Sequence, residues 1–281
     1  MITDNTKPFQ KIIDHSVSKE VFNLVYRSDI DLLITHPQPL GADLPRYYDS
    51  PDYISHTDAK RSLFEKLYQI IKNIALQNKL KIVNKFANKV QALDIGAGTG
   101  DFLAVLKNNG WSITGVEPNS KAKEIAIEKG INFASSTQIL ADHHFDLITM
   151  WHVLEHVPDV ENQIIELKRL LKPNGTLIVA VPNFNSFDAN YYGNHWAAFD
   201  VPRHLWHFSK TAISELFKVQ NFKIVKILPM KFDSFYVSLL SEKYKTGNMN
   251  FLKAFIIGLK SNRYGKKHLE YSSHIYVIKN S

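Results

Sequence analysis

From about residue 90 onward, short apolar segments alternate with amphipathic ones, and this alternation limits the possible folds more than any other feature. Apolar runs predict strands at 90–95, 111–116, 131–134, 145–150 and 176–181. Segments of helical spacing lie between them and end at Gly110, at Gly130 or before Pro173. Strands that alternate with helices form a mostly parallel sheet with helices on both faces. The sequence therefore predicts an α/β fold.

The two ends of the chain follow different patterns. Residues 222–228 and 274–278 predict two closing strands, and 230–270 predict a partly helical insertion before the last one. Prolines predict that residues 1–56 form an irregular leader or lid. Residues 57–90 carry Leu63, Leu67, Ile70, Ile71 and Ile74 at helical spacing among many lysines, which predicts an amphipathic basic helix. Residues 91–281 then form the core with its inserted subdomain.

A glycine-rich turn follows the first core strand, at Asp94-Ile95-Gly96-Ala97-Gly98-Thr99-Gly100. Glycines at this junction allow a ligand to approach the backbone closely. The dinucleotide pattern G-x-G-x-x-G is not met, because its last position is Asp101. An acidic residue at the helix N-terminus also disfavours a pyrophosphate. The ligand is therefore expected to lack a pyrophosphate, which favours S-adenosylmethionine over NAD.

Polar residues after the next strands predict further cofactor contacts. Glu117, followed by Pro118, lies where such folds bind ribose hydroxyls, and a carboxylate can accept both. Asp94 is a candidate partner for the amino group or the positive charge of the cofactor. Ser136 either contacts the adenine or simply turns the chain.

These strings, with Trp151-His152-Val153-Leu154-Glu155-His156-Val157-Pro158-Asp159, resemble class I S-adenosylmethionine-dependent methyltransferases. More narrowly, the chain is similar to a bacterial branch related to ubiquinone-biosynthesis O-methyltransferases, over about residues 20–240. The resemblance implies a Rossmann-like sheet of seven strands, with the last antiparallel and the cofactor above the first, second and fourth. It implies a cofactor site made of Asp94, Gly96, Ala97, Gly98, Gly100, Glu117, Pro118, Ser136, Trp151 and His56, with Tyr53 and His56 as a lid.

Two histidines are the catalytic candidates, because a hydroxyl acceptor needs a base and histidine suits neutral pH. His152 is the preferred base, with a packing or cofactor-contacting role as its alternative, and His156 is the second candidate. The string H-x-x-E-H also occurs in zinc peptidases, which this strand-to-helix junction disfavours. Some related quinone O-methyltransferases hold a divalent ion with a Glu-x-x-Glu-His string. Since His152 departs from that pattern, no metal is predicted, and metal assistance stays an alternative.

The acceptor site is expected near Arg203, His204 and Tyr236. The loop around Arg203 is either part of this site or a salt-bridged structural loop. The Asn/Asp-Pro-Pro-aromatic motif of nucleic-acid amino methyltransferases is absent after the fourth core strand. A small molecule methylated on oxygen is therefore the favoured acceptor.

Composition limits the remaining classes. The chain has no cysteine, which excludes disulfides, thiolate zinc sites and a cysteine nucleophile. Its net charge of +7 favours a solvated lysine-rich surface, with a nucleic-acid partner as the alternative. No apolar stretch predicts a signal sequence or a membrane span, so we expect a cytoplasmic protein, either a monomer or a homodimer.

An RNA or protein methyltransferase remains open and predicts that the basic helix lies beside the cofactor cleft. A cofactor-binding protein without turnover is also open.

Overall fold

A computed structural model describes residues 6–39, 41, 43–48 and 63–281. The strands are β1 Thr6–Ile13, β2 Val21–Arg27, β3 Leu32–His36, β4 Gln91–Ile95, β5 Ser112–Val116, β6 Phe145–Trp151, β7 Leu171–Pro182, β8 Trp206–Phe208, β9 Phe222–Pro229 and β10 Ser273–Asn280. The α-helices are α1 Leu63–Phe86, α2 Asp101–Asn108, α3 Ser120–Glu128, α4 Val160–Leu170, α5 Phe187–Tyr192, α6 Lys210–Lys218, α7 Asp233–Thr246 and α8 Phe251–His268. The described part of the chain contains no helix that is both long and apolar enough to cross a bilayer.

The central sheet has the strand order β5-β4-β6-β7-β10-β9. β4 is parallel to both β5 and β6, and β6 is parallel to β7, whereas β10 is antiparallel to both of its neighbours. The chain leaves β4 toward β5 on one side and later returns to β6 on the other. Ligands of parallel sheets bind where the order reverses in this way, at the carboxyl ends of the strands. The glycine-rich turn after β4 lies at this point.

The prediction of a seven-stranded sheet is wrong, because the described central sheet has six strands. The predicted strand at 131–134 lies beside β5, where Gly115 donates to the carbonyl of Asn132 and Ala134 donates to that of Gly115. It makes only an isolated parallel bridge between Gly115 and Phe133. The segment therefore holds the expected place at the edge of the sheet but is too short to continue the ladder.

The prediction of an irregular leader is also wrong for its described residues. β1, β2 and β3 form an antiparallel sheet, and β8 of the core pairs with β3 as its fourth strand. The prolines lie outside the strand interiors except for Pro8, where the β1–β2 register shifts. Apolar side chains from this sheet, including Phe22 and Leu33, share a buried cluster with Trp196 and Phe199. This segment is therefore anchored to the core.

Helix α1 packs on the core through its second half, where Leu80 and Val83 are buried. Ile70, Ile71 and Ile74 are exposed, so these three positions of the predicted apolar face are not buried. Helices α7 and α8 occupy the insertion expected at 230–270. Within α7, Asp233 lies in the first turn and points to the end of β6.

Candidate functional site

The turn after β4 has the backbone that its glycines permit. Gly96, Gly98 and Gly100 have φ values of 70°, 53° and 72°, which lie in the left-handed region. The amides of Gly96 and Ala97 both donate to the carbonyl of Val116, so the turn is fixed to the end of β5. A Cβ at Gly96 would lie 2.4 Å from Val153, whereas one at Gly98 would meet nothing within 4 Å. Gly98 therefore borders open space.

Asp94 is buried directly beneath this turn. The hydroxyl of Thr149 on β6 donates to its carboxylate at 2.5 Å, and Asp94 is only 3% exposed. Burial raises the pKa of Asp94 to about 7, although Thr149 and the nearby Lys79 both lower it. A buried carboxyl that ionises near neutral pH at a ligand-binding edge is typical of a functional group.

We expect the affinity for S-adenosylmethionine to depend on pH through Asp94. Only the ionised carboxylate attracts a cationic cofactor, so affinity should rise as pH rises through the pKa near 7. The Kd should be about tenfold weaker at about pH 6 than at about pH 8. Calorimetric titration across this range measures the effect. A wild-type pH profile no steeper than that of Asp94→Asn would contradict it.

Glu117 is already oriented by the neighbouring backbone. The amide of Gly98 donates to Oε2 and the amide of Asn119 donates to Oε1, both at 2.8 Å. Each carboxylate oxygen retains a second lone pair that can accept from a hydroxyl. The carboxylate thus lies at the end of β5, next to the glycine turn, in a position suited to two ribose hydroxyls.

Lys79 reaches the same region from α1. The sequence did not indicate a functional role for it, because it is one of many lysines in this helix. Its ammonium lies 4.4 Å from the centre of the Trp151 ring and 5.8 Å from that of Phe102. Burial lowers the pKa of Lys79, although the carboxylates of Asp94 and Asp233 face it. The indole nitrogen of Trp151 is buried without a hydrogen-bond partner. The end of β6 therefore offers a cation and an unused donor beside Asp94.

The remaining described cofactor candidates, Pro118 and Ser136, are less buried than Asp94. Pro118 is exposed after β5, and half-buried Ser136 precedes a short 3-10 helix, Thr137–Ile139, beyond the isolated bridge. Pro118 comes after β5, and Ser136 comes after the segment that forms the isolated bridge with β5. His56 and Tyr53 lie outside the described residues.

His152 follows β6 with a φ of 57° and lies between two carboxylates. Its Nε2 is 2.9 Å from Asp233 and its Nδ1 is 3.2 Å from Glu155. Burial disfavours the charged ring, but the two carboxylates outweigh it and raise the pKa of His152 to about 10. At neutral pH both nitrogens carry protons, so the geometry does not favour His152 as a base.

Glu155, His156 and His204 form a second cluster, whose nearest nitrogen and oxygen atoms all lie within 4.8 Å of one another. Sequence reasoning did not connect His204 to this cluster, because the contact spans 48 positions and no local pattern signals it. His156 and His204 each place Nδ1 at hydrogen-bond distance from a backbone carbonyl, of Arg203 at 3.0 Å and of Ala198 at 2.9 Å. Carbonyls only accept, so in the neutral form of either ring Nδ1 carries the proton and Nε2 keeps its lone pair.

The electrostatics of this cluster favour the neutral form of His156. Burial and the neighbouring His204 lower the pKa of His156 to about 4. Burial favours protonated Glu155, yet the hydrogen bond from His152 and the adjacent histidines hold its pKa below the ordinary value. Its Oε2 is buried without a hydrogen-bond partner. Imidazole nitrogens and an ionised carboxylate with an unused oxygen are ligand types that a divalent cation takes.

Arg203 is the centre of a buried ion-pair network and is 1% exposed. Its guanidinium contacts Asp14 at 2.9 Å and Asp200 at 2.7 Å and donates to the carbonyl of Tyr47. Burial raises the pKa of Asp14, but Arg203 and the amides of Ser18 and Val17 overcome this and hold it well below the ordinary value. The network ties the N-terminal sheet to the core. The geometry favours the structural alternative for Arg203 over substrate contact.

Replacing Arg203 by methionine should destabilise the fold by about 3–5 kcal/mol, because buried Asp14 and half-buried Asp200 both lose their partner. Urea unfolding at neutral pH measures this loss. Arg46→Met is the matched control, since Arg46 and Glu20 form an exposed pair worth less than about 1 kcal/mol. Unchanged stability of Arg203→Met, combined with weaker acceptor binding, would restore the substrate role.

Tyr236 on α7 is 52% exposed and lies one turn after Asp233, the residue of this helix that contacts His152. The structure thus brings Asp94, the glycine turn, Glu117 and Trp151 together at one edge. His152 and His156 follow directly after β6. Arg203 lies deeper in the protein.

A family model described as a methyltransferase domain matches residues 60–227, more than half of the chain. The chain belongs to this methyltransferase family. The matched residues run from α1 to β9 and include the glycine turn, Glu117 and both histidines of the second cluster. The prediction of a class I methyltransferase domain that uses S-adenosylmethionine is therefore confirmed.

Individual relatives of this methyltransferase domain agree with the assignment. A ubiquinone biosynthesis O-methyltransferase from Erwinia tasmaniensis is 32% identical over 111 residues, covering 36% of this chain and 45% of that protein. One from Pelagibacter ubique is 26% identical over 216 residues, covering 68% and 85%. The chain thus spans under half the length of the first relative. A methyltransferase structure from Archaeoglobus fulgidus has a TM-score of 0.52 at 15% identity, covering 78% of this chain and 100% of that one, which shows the shared fold.

Proposed function

We propose that this protein transfers the methyl group of S-adenosylmethionine to a hydroxyl oxygen of a small, largely apolar molecule. The observation that carries the proposal is the Glu155, His156 and His204 cluster, which follows β6 directly, next to the proposed cofactor site. Methyl transfer needs alignment of the two reactants and removal of the hydroxyl proton. Curated relatives named as ubiquinone biosynthesis O-methyltransferases support an oxygen acceptor.

In this proposal the cofactor lies across the ends of β4, β5 and β6. Glu117 binds the ribose hydroxyls, and Ser136 and Pro118 border the adenine. Gly96, Ala97, Gly98 and Gly100 provide the backbone surface, and Asp94 balances the cationic part of the ligand. Lys79 and Trp151 lie where they can bind its carboxylate, an ammonium by charge and an indole N–H by hydrogen bonding.

The acceptor hydroxyl is deprotonated at the second cluster. Nε2 of His156 is the proton acceptor that the tautomer leaves available, and His204 lies beside it with their ring centres 4.5 Å apart. Its low pKa makes His156 a weak base. The nitrogen and oxygen atoms of the cluster are also suited to bind a divalent cation. Glu155, His156 and His204 would hold it, and a bound cation would lower the pKa of the acceptor hydroxyl.

His152 has a positioning role in this proposal. Its ion pair with Asp233 joins the end of β6 to α7, and its bond with Glu155 orients that carboxylate. Tyr236, on the same helix, is then a candidate wall of the acceptor site. This assignment replaces the base role that the sequence favoured for His152.

The direct test uses S-adenosylmethionine labelled with carbon-13 in its methyl group. The protein is incubated with phenols and catechols that carry apolar side chains, and the product is analysed by NMR and mass spectrometry. The expected product is a methyl ether together with S-adenosylhomocysteine. Cofactor binding without transfer to any acceptor would instead support a non-catalytic binding protein.

An RNA or protein acceptor is the second candidate, because the basic helix α1 does lie beside the cofactor cleft. Lys81, Lys85 and Lys89 are exposed at its C-terminal end and beyond. The lysines nearest the cleft are engaged internally, Lys72 with Asp101 at 2.7 Å and Lys79 over Trp151. Because both lysines have internal partners, little positive charge is left at the cleft itself to bind a polyanion. Labelled transfer to RNA or protein in a cell extract, lost in a Lys81→Gln, Lys85→Gln variant, would favour this alternative.

A further inference from the structure

Helix α8 reverses the usual arrangement of a surface helix. The side that packs on the protein consists mainly of small residues: Ala254, Ile257, Gly258, Ser261 and Gly265. Gly258 is required there, since a Cβ would lie 2.5 Å from the ring of Phe235 on α7. Helices normally turn their large apolar side chains inward. In α8 the close approach of α7 leaves no room for them.

The large apolar side chains of α8 instead face outward. Five of them are between 41% and 72% exposed: Phe251, Leu252, Phe255, Ile256 and Leu259. At 100° per residue they lie on one face, opposite the small residues. Single exposed apolar residues are common, but a contiguous group on one face marks an interaction surface.

The same outward face becomes basic in the second half of the helix. Lys260, Arg263, Lys266 and Lys267 are exposed and continue the face that carries Leu252, Ile256 and Leu259. Helix α8 contains no acidic residue. The carboxylates nearby have other partners: Glu242 pairs with Lys253 in the first turn of α8, Glu270 pairs with Lys210, and buried Asp188 accepts from Ser261. Among the described residues, no carboxylate forms an ion pair with these four basic side chains, so the face combines an apolar half with an uncompensated basic half.

The adjoining helix α7 extends this face toward the candidate site. Phe235 of α7 stacks on Phe255 with ring centres 5.5 Å apart. Phe232 and Tyr236, on either side of it, are 42% and 52% exposed. Asp233 in the same turn pairs with His152. The apolar surface and the candidate site thus share the first turn of α7.

We propose that the outward face of α8 binds an anionic lipid surface. Its apolar half would lie at the boundary of the acyl chains, and its basic half would contact the headgroup phosphates. Charge complementarity distinguishes this partner from a second copy of the chain. In a two-fold contact between two such faces, basic side chains would be placed on apolar ones and lose water without a counter-ion.

Sedimentation with vesicles tests this inference without any methyl transfer, so its outcome is independent of the proposed function. The unmodified protein should sediment with vesicles of phosphatidylcholine and phosphatidylglycerol, and far less with phosphatidylcholine alone. Added salt should weaken the binding, because it screens the basic half. Sedimentation equal for both vesicle types, or absent for both, overturns the proposal.

Two variants separate the halves of the face. Leu252→Ser with Ile256→Ser should abolish binding, and Arg263→Gln with Lys267→Gln should reduce the partition constant by about tenfold or more. Val219→Ser, which alters a 75% exposed side chain just after the end of α6, is the matched control and should bind normally. Normal binding by the α8 variants overturns the proposal. So does a lipid-free dimer that the Leu252→Ser, Ile256→Ser variant loses, because it would make this face a contact between copies.

Discussion

Replacing Gly98 by aspartate should abolish S-adenosylmethionine binding while leaving the fold intact. Asparagine and aspartate tolerate a positive φ better than other side chains, and a Cβ at Gly98 meets nothing within 4 Å. The new carboxylate would therefore fit without clashes in the free protein. It would occupy the open side of the turn and lie close to Glu117, which accepts a hydrogen bond from the amide of residue 98. We expect at least a 100-fold rise in Kd, measured by calorimetry.

Two further variants control for this result. Gly98→Asn has nearly the same shape without the charge, so the difference between the two variants measures repulsion near Glu117. Gly96→Ala should lower the melting temperature, because its Cβ would lie 2.4 Å from Val153. Near-normal cofactor affinity of Gly98→Asp would show that the ligand does not approach this face of the turn.

Replacing His156 by glutamine should lower kcat by about 100-fold or more and leave the cofactor Kd unchanged. The glutamine amide can still donate to the carbonyl of Arg203, so the local structure is retained. It has no basic nitrogen to accept the acceptor proton or to bind a cation. Single-turnover measurements with saturating cofactor separate this loss from product release.

His204→Gln tests whether the cluster acts as a unit. If it does, the single variants should each lose most of the activity, and the double variant should be hardly worse than either. His268→Gln, at an exposed histidine on α8, is the control and should turn over normally. A chelator that lowers wild-type kcat, restored by added divalent cation, would indicate a cation at the cluster. Full activity of His156→Gln would remove this cluster from the reaction.

The glycine turn and Glu117 could be predicted from the sequence because the information is local. A strand, three glycines and a carboxylate about twenty positions later place these groups at neighbouring strand ends in any parallel sheet of this kind. The alternation of strands and helices is equally local. The strand predicted at 131–134 is shorter than expected, since three apolar residues around Asn132 cannot reveal that only Phe133 forms a bridge.

The remaining features depend on contacts between distant residues. β3 pairs with β8 across about 170 positions, so the leader was mistaken for irregular chain. A separation of 189 positions joins Asp14 to Arg203, and this buried pair favours the structural alternative for Arg203 over substrate contact. The sequence favoured His152 as a base, with packing or cofactor contact as the alternative, but it could not indicate that Asp233 of the insertion lies 2.9 Å from Nε2 of His152. The chemical type of each site residue could be read from the sequence. The distant residues that contact it and set its protonation state could not.

The most direct test is calorimetric titration of the unmodified protein with S-adenosylmethionine and with NAD at about pH 7, in two buffers of different ionisation enthalpy. The site described at β4, β5 and β6 predicts one S-adenosylmethionine per chain, release of about half a proton as Asp94 ionises, and no heat from NAD. Binding of NAD without binding of S-adenosylmethionine would contradict the account.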